Sequence, residues 1–174
     1  IIGCTGPPDS LIMSNNPKTH SWPENHWNWT APLPHKHGNH HWNFIHLAAQ
    51  IALDNLANVL QLGYIAAQTK IALANINTVL HDLGATMDNI GKVTTFYQGS
   101  ASADELHKNL MIRSNAFSNP GPATSGIPLP HLVSKHMMIE IEVIVIARTS
   151  APEVFSLFLV TVYPCPLMNQ TCSA

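Results

Sequence analysis

The sequence predicts one domain in which strands and helices alternate along the chain. Its 174 residues, 45% of them hydrophobic, are enough to enclose one core. Two segments repeat their apolar residues at the period of a helix, and three others are rich in the branched and aromatic residues that favour strands. The predicted order is therefore strands, helix, strand, helix and strands, without an internal repeat.

The chain begins with a segment that shows no sustained period. Residues 1–34 are rich in proline, asparagine and tryptophan, which is typical of an irregular arm. Trp22, Trp27 and Trp29 are the residues that we expect to anchor it. The next segment, HWNFIHLAAQIAL at residues 41–53, has the length and composition of one or two strands, so a sheet edge or a hairpin is predicted to begin there.

Residues 64–83 are predicted to form the first helix. Its apolar face consists of Ala72, Ile76, Val79, Leu80 and Leu83. Gln68 and the other polar residues are expected largely away from that face, and Gly84 follows as a C-terminal stop. The run NIGKVTTFYQG at residues 89–99 then predicts a central strand, because it is rich in strand-forming residues and ends in glycine.

A second helix is predicted from a capping box, SADE at residues 102–105, to about Phe117. Leu106, Leu110 and Phe117 form its apolar stripe, and Arg113 occupies the position that would complete that stripe. One interpretation is an arginine that reaches past the edge of the core to water. The other makes Arg113 a ligand for an anionic molecule.

The last regular element is a strand in the run MMIEIEVIVIA at residues 137–147. One face carries Ile139, Ile141, Val143 and Val145, and the other carries Glu140, Glu142, Ile144 and Ile146. Both faces are mostly apolar, so we expect the strand to be covered on both sides. A buried Glu140 or Glu142 then requires a reason. The alternative is a strand end that reaches solvent and leaves both carboxylates hydrated.

Charge and hydropathy exclude several classes of partner. The formal net charge of −2 provides no basic field for a phosphate backbone, so nucleic acid is not an expected partner. The longest apolar run near the end, VFSLFLVTVY at residues 154–163, is about half of what a membrane-spanning helix needs, so no membrane is expected either. No secretory leader is visible, and a cytoplasmic location is the expectation.

Secretion or an organellar location stays open for two reasons. The chain starts with Ile1, and Asn28 and Asn169 stand in glycosylation sequons. The three cysteines argue against a complete disulfide framework, although a bridge between Cys165 and Cys172 is possible.

The histidine-rich run HKHGNHHW, residues 35–42, raises the question of a metal site. In a strand His35 and His37 share one face while His40 and His41 point in opposite directions, so only a turn at Gly38 would gather three ligands. A surface or interface cluster is the expected role, and no functional metal is predicted.

Several stretches together resemble the Rid family, the reactive intermediate deaminases also called the YjgF family. These stretches are AAQIALD at residues 48–54, AAQTKIALANINTVLHDLGATMDNIGKVTTFYQG at 66–99, and PATSGIPLP at 122–130 followed by IEIEVIVIA at 139–147. The resemblance covers roughly residues 32–148. It leaves an N-terminal arm at residues 1–31 and a C-terminal tail at residues 149–174.

The resemblance implies an α+β fold of the chorismate-mutase-like type, a mixed β-sheet with two helices packed on one face. Such chains assemble as homotrimers with three pockets at the subunit interfaces. The implied activity is the hydrolysis of reactive enamines and imines, such as 2-aminoacrylate, to a keto acid and ammonia. The implied partner is thus a small imine or enamine, and no cofactor is used.

The resemblance also implies which residues form the site. Active members carry an arginine in a P-A-R-[ST] pattern that clamps the substrate carboxylate, and here that position is Thr124, which indicates an altered substrate choice. Glu140 matches the glutamate expected to orient the hydrolytic water, and Asn109 matches an asparagine that lines the pocket. Arg113, one helical turn beyond Asn109, is the preferred source of the missing positive charge, and Lys36 is the other candidate.

Further pocket positions differ from the family pattern. Ala48 and Ala49 stand where the family has Ser-Gly, and His35 replaces the tyrosine of Pro-Tyr-Ser. The prolines around Ser125 and Gly126 are expected to hold the backbone of a substrate-binding rim in place. The alternative is that these prolines only end the second helix and shape the entry to a strand.

Two functions are compatible with these residues. The first is an imine or enamine deaminase-like hydrolase with altered substrate choice, which the carboxylate of Glu140 favours. The second is a non-catalytic module on the same trimeric fold that binds a small metabolite or a protein. Family members have also been called endoribonucleases, but the charge balance of this chain offers little support for RNA binding.

Overall fold

Six strands form a single mixed sheet in the computed structural model, which describes residues 19–27 and 34–147. The strands are β1 (His20–Ser21), β2 (Gly38–His41), β3 (Phe44–Gln50), β4 (Ile90–Gln98), β5 (Ala123–Leu129) and β6 (Ile139–Ile146). The helices are α1 (Ile65–Asp82) and α2 (Ala103–Ser114), with a short 3-10 turn at Met87–Asn89. These six described strands have the order β1-β2-β3-β6-β4-β5, and among them only the β4–β5 pair is parallel. The α+β prediction is confirmed.

The predicted hairpin is present and is formed by β2 and β3. His41 pairs with Phe44, so the connection is the two-residue turn Trp42-Asn43, in which Trp42 has a φ of 56°. A positive φ at this point matches the turn geometry that suits the right-handed twist of paired strands. The hairpin connects the short outer strands to β6 in the interior of the sheet.

Helix α1 covers one face of the sheet and provides the centre of the core. Its five predicted apolar positions are all buried, together with the alternate residues of β3, β4 and β6 that face the helix. Gly84, with a φ of +75°, ends the helix in the left-handed conformation that glycine adopts without strain. At Gly38, an added Cβ would lie 2.8 Å from Leu83 Cδ1, so the hairpin approaches α1 more closely than another residue would allow.

The prediction for Gln68 was wrong, because its side chain is completely buried. Its amide nitrogen donates to the carbonyls of Leu60, Gln61 and His136, and its amide oxygen accepts from Met138 N at 2.7 Å. The apolar face of α1 is therefore wider than predicted. It includes one polar residue whose hydrogen bonds join α1 to the loop before it and to the segment that leads into β6.

Strand β4 lies in the interior of the sheet as predicted, and β6 has two different faces. The face of Ile139, Ile141, Val143 and Val145 is buried against the helices. No described residue covers the opposite face, where Ile144 is 39% and Ile146 is 54% exposed. We call the surface of the sheet that faces away from the helices the open face. The expected cover on both sides is therefore absent within the described part of one chain.

Strand β5 was not predicted, because its prolines and glycine indicated a substrate-binding rim with a fixed backbone or, as the alternative, only the entry to a strand. It runs parallel to β4 at the edge of the sheet, with Thr124 opposite Val93 and Gly126 opposite Thr95. An edge strand tolerates proline because the missing N–H of Pro128 costs no ladder bond on the outer side. The proline-rich segment thus forms an edge strand, and its backbone makes hydrogen bonds to β4 on one side.

Helix α2 begins as predicted and ends earlier. Glu105 N donates to Ser102 Oγ at 3.3 Å, and Ser102 N donates to Glu105 Oε2 at 2.9 Å, which completes the capping box. The helix ends at Ser114, so Phe117 lies beyond it. The predicted stripe is also wrong at Leu110, which is 46% exposed, whereas Asn109 is buried.

The described part of the N-terminal arm adds a strand to the sheet. Strand β1 pairs with β2, and Ser21 Oγ donates to Asp82 Oδ2 at 2.6 Å near the end of α1. Trp27 is buried and Trp22 is half-buried, which agrees with their predicted role as anchors. Trp29 lies outside the described residues, as do all three cysteines, both sequons and the tail.

Across residues 19–27 and 34–147, neither helix combines the length and the apolar character needed to cross a membrane. The cytoplasmic location stays a prediction.

Candidate functional site

A cavity of about 330 Å³ lies between the end of α2 and the beginning of β5. Arg113 and Thr124 contribute charged and hydroxyl groups to its wall, and Leu110, Phe117 and Pro122 contribute apolar surface. The volume is in the range of small-molecule sites. Two residues that the sequence singled out for opposite reasons, an arginine in an apolar stripe and a threonine in place of an arginine, therefore meet at one cavity.

The guanidinium of Arg113 is held in position by two side chains. Its Nε donates to Asn109 Oδ1 at 2.7 Å, and its Nη1 donates to Thr95 Oγ1 at 2.9 Å. Thr95 belongs to β4 and is almost fully buried. Because a helix residue and a strand residue each accept a hydrogen bond, the planar guanidinium has little freedom to rotate.

Asn109 links Arg113 to the core of the fold. Its Nδ2 donates to Thr69 Oγ1 at 2.6 Å, and Thr69 Oγ1 in turn donates to the Ile65 carbonyl at 2.7 Å. The hydrogen bonds therefore run from the first turns of α1 through α2 to the cavity. Asn109 is buried behind Arg113, so its observed role is to hold the arginine, and it does not itself line the cavity.

Arg113 has no carboxylate partner among the residues that the structure describes. The guanidinium is half-buried, and that burial lowers its pKa, while the nearby Tyr97 opposes the shift. An arginine remains protonated despite such a shift, because its pKa lies far above neutral pH. The cavity wall therefore carries a positive charge that no acidic side chain within residues 19–27 and 34–147 neutralises.

Thr124 lies on the helix side of the sheet, near the outer edge. Its register partner is Val93, which shares the buried face of β4 with Thr95, and its side chain is exposed toward the cavity. A threonine provides a neutral hydroxyl, which donates or accepts one hydrogen bond but does not neutralise an anion. In the described chain the only cation that lines this cavity is Arg113.

Glu140 lies on the opposite side of the sheet. It pairs with Phe96, whereas the neighbouring pair, Thr95 and Ile141, faces the helices, so the alternation of the strand places Glu140 on the open face. Burial raises the pKa of the Glu140 carboxyl. A second cavity, of about 360 Å³, lies against Glu140 and is also lined by Leu129, His131 and Val133.

Ser125 and Gly126 also separate onto the two sides of β5. Ser125 points to the open face, where its Oγ lies 2.6 Å from Lys92 Nζ. Gly126 points to the helix side, where an added Cβ would lie 3.4 Å from Tyr97 Cε1. The segment predicted to form the rim is therefore a strand, and its alternate residues point to the open face and to the helix side of the sheet.

The remaining predicted site residues lie toward the other edge of the sheet. Ala48 and Ala49 belong to β3 at an irregularity of its pairing with β6, and Ala48 is exposed. His35 is exposed and precedes β2, next to Lys36, whose Nζ lies 5.0 Å from the centre of the Trp22 ring. One chain thus does not bring these residues to the cavity of Arg113 and Thr124.

The histidine-rich run contributes to packing. Its backbone is extended at Gly38, so the turn that would gather three ligands is not formed. His37 is completely buried, its Nε2 lies 2.8 Å from the Trp27 carbonyl oxygen, and its ring contacts those of Trp22, His26 and Trp27. No group of three or more histidine, cysteine, aspartate or glutamate residues in the described ranges is arranged to hold a metal ion.

Sequence reasoning missed Thr69 and Thr95, the two hydroxyls that complete the hydrogen-bond path. The alternation of β4 places Thr95 on the same face as Val93, so its burial was predictable. Its contact with Arg113 was not, because it depends on how α2 lies over the sheet. The arrangement as a whole provides two separate groups, a fixed cation in a cavity and a half-buried carboxyl on the opposite face.

Comparison with known proteins gives one family. The family model described as Endoribonuclease L-PSP matches residues 30–147. A RutC family protein of Pyrococcus abyssi is 30% identical over 102 residues, which are 59% of this chain and 77% of that protein. A RutC family protein of Pyrococcus horikoshii is 28% identical over 102 residues, which are 59% of this chain and 78% of that protein.

Solved structures show the same fold. The YjgF gene product of E. coli aligns with a TM-score of 0.56 at 25% identity and covers 68% of this chain and 91% of its own. A protein of unknown function from Yersinia pestis, a member of the conserved Rid family, has a TM-score of 0.59 at 26% identity, with coverages of 67% of this chain and 90% of its own. RidA from an Antarctic Psychrobacter has a TM-score of 0.62 at 17% identity, with coverages of 74% and 98%, and at that identity only the fold is compared.

Proposed function

The chain belongs to the Rid family, also known as the YjgF or Endoribonuclease L-PSP family, and on that premise we propose that it hydrolyses an imine or an enamine. An enamine first takes up a proton at carbon and becomes the iminium ion, which is the protonated imine. Water then adds to the carbon of the C=N bond, the carbon–nitrogen bond breaks, and a carbonyl compound and ammonia leave. The reaction requires a held water, a group that moves its proton and a group that binds the anionic or polar end of the substrate.

The observation that carries this proposal is the state of Glu140. Its carboxyl is half-buried on the open face beside a cavity, burial raises its pKa, and it has no hydrogen-bond partner among the described residues. A carboxyl with a raised pKa exchanges a proton more readily near neutral pH than an ordinary glutamate. We assign to Glu140 the acceptance of the proton from the attacking water and its delivery to the departing nitrogen.

The site that we propose is made by two copies of the chain. Glu140 and the cavity of Arg113 and Thr124 lie on opposite faces of one sheet, so one subunit does not bring them together. The open face carries exposed Phe44, Ile144 and Ile146, an apolar surface suited to contact with another subunit. A homotrimer would cover this surface and place Glu140 of one subunit at the cavity of the next.

The threonine at position 124 supports an altered substrate choice. The arginine of the family pattern would bind a carboxylate through two parallel hydrogen bonds, and the Thr124 hydroxyl offers one neutral bond. A small substrate held only by that strand would therefore bind weakly. Substrates that need no clamp from β5 are favoured over 2-aminoacrylate.

The second candidate is a binding module that has lost catalysis, and the loss of the strand arginine at Thr124 is the observation that favours it. In that case the cavity would still bind a small metabolite, and Glu140 would have no role in catalysis. Cleavage of RNA, which the family name Endoribonuclease L-PSP suggests, is not proposed, because the net charge of −2 provides no excess of basic charge for binding a phosphate backbone.

The test is ammonia release from freshly generated 2-aminoacrylate and from a panel of uncharged acyclic imines whose nitrogen carries only hydrogen and therefore leaves as ammonia. The wild-type chain is compared with Glu140→Gln, and Glu142→Gln is the matched control because it lies two residues along the same face of β6. We expect acceleration on at least one substrate, lost in Glu140→Gln and retained in Glu142→Gln. Release no faster than the spontaneous reaction on every substrate would leave the binding module as the function.

A further inference from the structure

We infer that Arg113 forms an anion-binding site for small organic carboxylates that carry an apolar body. The inference deepens the proposed function by naming the substrate class, and it rests on that function only where it identifies the ligand as a substrate. It places the anion on a helix residue, at the cavity wall between α2 and β5, and not on the strand position that Thr124 occupies.

The first argument is the geometry of the guanidinium. Arginine has five N–H groups, and in Arg113 the Nε and one Nη1 hydrogen are engaged by Asn109 and Thr95. The other three have no acceptor within the described ranges of the chain. Asn109 and Thr95 fix the orientation of the guanidinium, so its three other N–H groups are in position before a ligand binds. Little side-chain entropy is therefore lost when a carboxylate binds.

The second argument is charge. Arg113 is half-buried, and the cavity contains no carboxylate in its described wall. A cation withdrawn from water without a counter-charge is unfavourable, and an anionic ligand removes this penalty. The burial that lowers the pKa of Arg113 also strengthens its interaction with an anion, since less water screens the pair.

The third argument is the composition of the cavity. Leu110, Phe117 and Pro122 form an apolar part of the wall, and the hydroxyls of Thr124 and Ser114 provide neutral polar contacts beside Arg113. An inorganic anion would satisfy the charge but would leave the apolar part hydrated. A carboxylate with an aliphatic or aromatic body fills both parts of the cavity, so this chemistry fits best.

A second cationic groove provides a contrast within the same molecule. Lys70 and Lys108 line a surface groove of about 340 Å³ between α1 and α2. Both lysines are exposed, and neither has a fixed planar fork. Lys108 is on the same helix as Arg113, so Lys108→Gln removes a positive charge from α2 without changing the Arg113 cavity.

The experiment is calorimetric titration of the full chain with phenylacetate and with its neutral analogue phenylacetamide. We expect phenylacetate to bind and phenylacetamide to bind at least about tenfold more weakly, because the amide cannot form the charged pair. Arg113→Gln should reduce the affinity for phenylacetate by about tenfold or more, and Lys108→Gln should leave it unchanged within about twofold. Equal binding of the two compounds, or equal loss in both variants, would overturn the inference.

A measurement on the unchanged chain covers the case in which Arg113→Gln does not fold. The sequence contains two arginines, Arg113 and Arg148, so the Nε–H region of an NMR spectrum holds two side-chain signals. Phenylacetate should shift one of them, and phenylacetamide should not. Two unmoved signals would contradict the inference.

The outcomes of the binding and ammonia experiments are distinguishable. Binding of phenylacetate through Arg113 without ammonia release would retain the anion site and remove the hydrolase. Ammonia release that is unaffected by Arg113→Gln, from a chain that does not bind phenylacetate, would retain the hydrolase and remove the anion site.

Discussion

Asn109 and Arg113 lie one helical turn apart on α2, and Asn109 Oδ1 accepts a hydrogen bond from Arg113 Nε at 2.7 Å. The same asparagine donates to Thr69 on α1 at 2.6 Å. A buried amide therefore connects the packing of the two helices to the orientation of the arginine that lines the cavity. Changes in the core at this point are expected to reach the site without any contact with a ligand.

The first prediction concerns this connection. Asn109→Ala removes the acceptor of Arg113 and the donor to Thr69, and it should lower the free energy of unfolding by about 1–3 kcal/mol. Thr69→Val should cost a similar amount. Because the two residues share one hydrogen bond, the double variant should cost less than the sum, by about 0.5–1.5 kcal/mol in a denaturant-unfolding cycle. Simple additivity would show that the bond contributes nothing.

The second prediction concerns Gln68. Gln68→Ala leaves three carbonyls and the Met138 N–H without their side-chain partner, so it should destabilise the fold by about 2–4 kcal/mol. Asn75→Ala is the control on the same helix, since Asn75 is only half-buried and makes one hydrogen bond, to the Ile51 carbonyl. Urea unfolding should rank the two variants clearly, and an equal cost would contradict the assigned role of Gln68.

The third prediction is that stability depends on pH through the histidines where the N-terminal arm packs, at the contact of His37 with Trp27. Burial lowers the pKa of His37 to about 4, with the Trp27 carbonyl opposing the shift and His26 adding to it. The pKa of His26 is also lowered, mainly by burial. A histidine with a depressed pKa in the folded state protonates first in the unfolded chain, from about pH 6.5 downward. The contribution of the neutral His37 to the free energy of unfolding is thus fully present above that pH, and it is lost as the pH falls toward about 4.

Unfolding measured between about pH 4 and pH 8 checks this dependence. His37→Gln keeps a donor for the Trp27 carbonyl and removes the titrating group, so the fall below pH 6.5 should become shallower. His20→Gln, at an exposed position of β1, should leave the fall unchanged. A variant at position 37 that retains the full pH dependence would assign it to other groups.

The fourth prediction concerns assembly through the open face. The wild-type chain should have about three times the mass of one 19.0 kDa subunit in light scattering. Ile144→Lys places a charge on the exposed apolar surface of β6 and should shift the mass to that of one subunit. Leu56→Lys, at a more exposed apolar residue outside the sheet, should not. A wild-type monomer, or a trimer that tolerates Ile144→Lys, would exclude this surface as the interface.

Much of the fold was predictable because burial repeats at a fixed period. Helix α1 and strand β6 were found with nearly correct ends, since each has a continuous apolar face. Strand β5 was missed because its prolines suggest a loop, and only an edge position next to β4 makes a strand possible there. Gln68 was placed wrongly because its burial depends on distant carbonyls that the helix period does not reveal.

The candidate site was predictable as a set of residues but not as an arrangement. Arg113 was singled out because it interrupts an apolar stripe, and Thr124 because it stands in place of an arginine. That both line one cavity depends on the packing of α2 over β5. The alternation of β6 predicted that Glu140 lies on the face opposite to that of Ile139 and Ile141. That this face points away from the helices became clear only from the order of the strands in the sheet. Which residues meet at a site depends on contacts between different helices and strands, and the period of the apolar residues does not reveal those contacts.

The central claim is that one active site uses Glu140 from one subunit and the cavity of another, and subunit complementation tests it most directly. Glu140→Gln removes the carboxyl, and Thr124→Trp fills the cavity from an exposed position of the edge strand. Each variant alone should release no ammonia above the spontaneous rate. Co-refolded in equal amounts, they should recover about one quarter of wild-type activity, since half of the cavities and half of the carboxyls are intact and combine at random.

Wild-type chain mixed equally with Glu140→Gln is the control and should give about one half of wild-type activity. Recovery to about one quarter in the mixture of the two inactive variants would establish a shared site. A mixture that stays as inactive as its parents, while the control retains its half, would contradict the claim and place each site within a single chain.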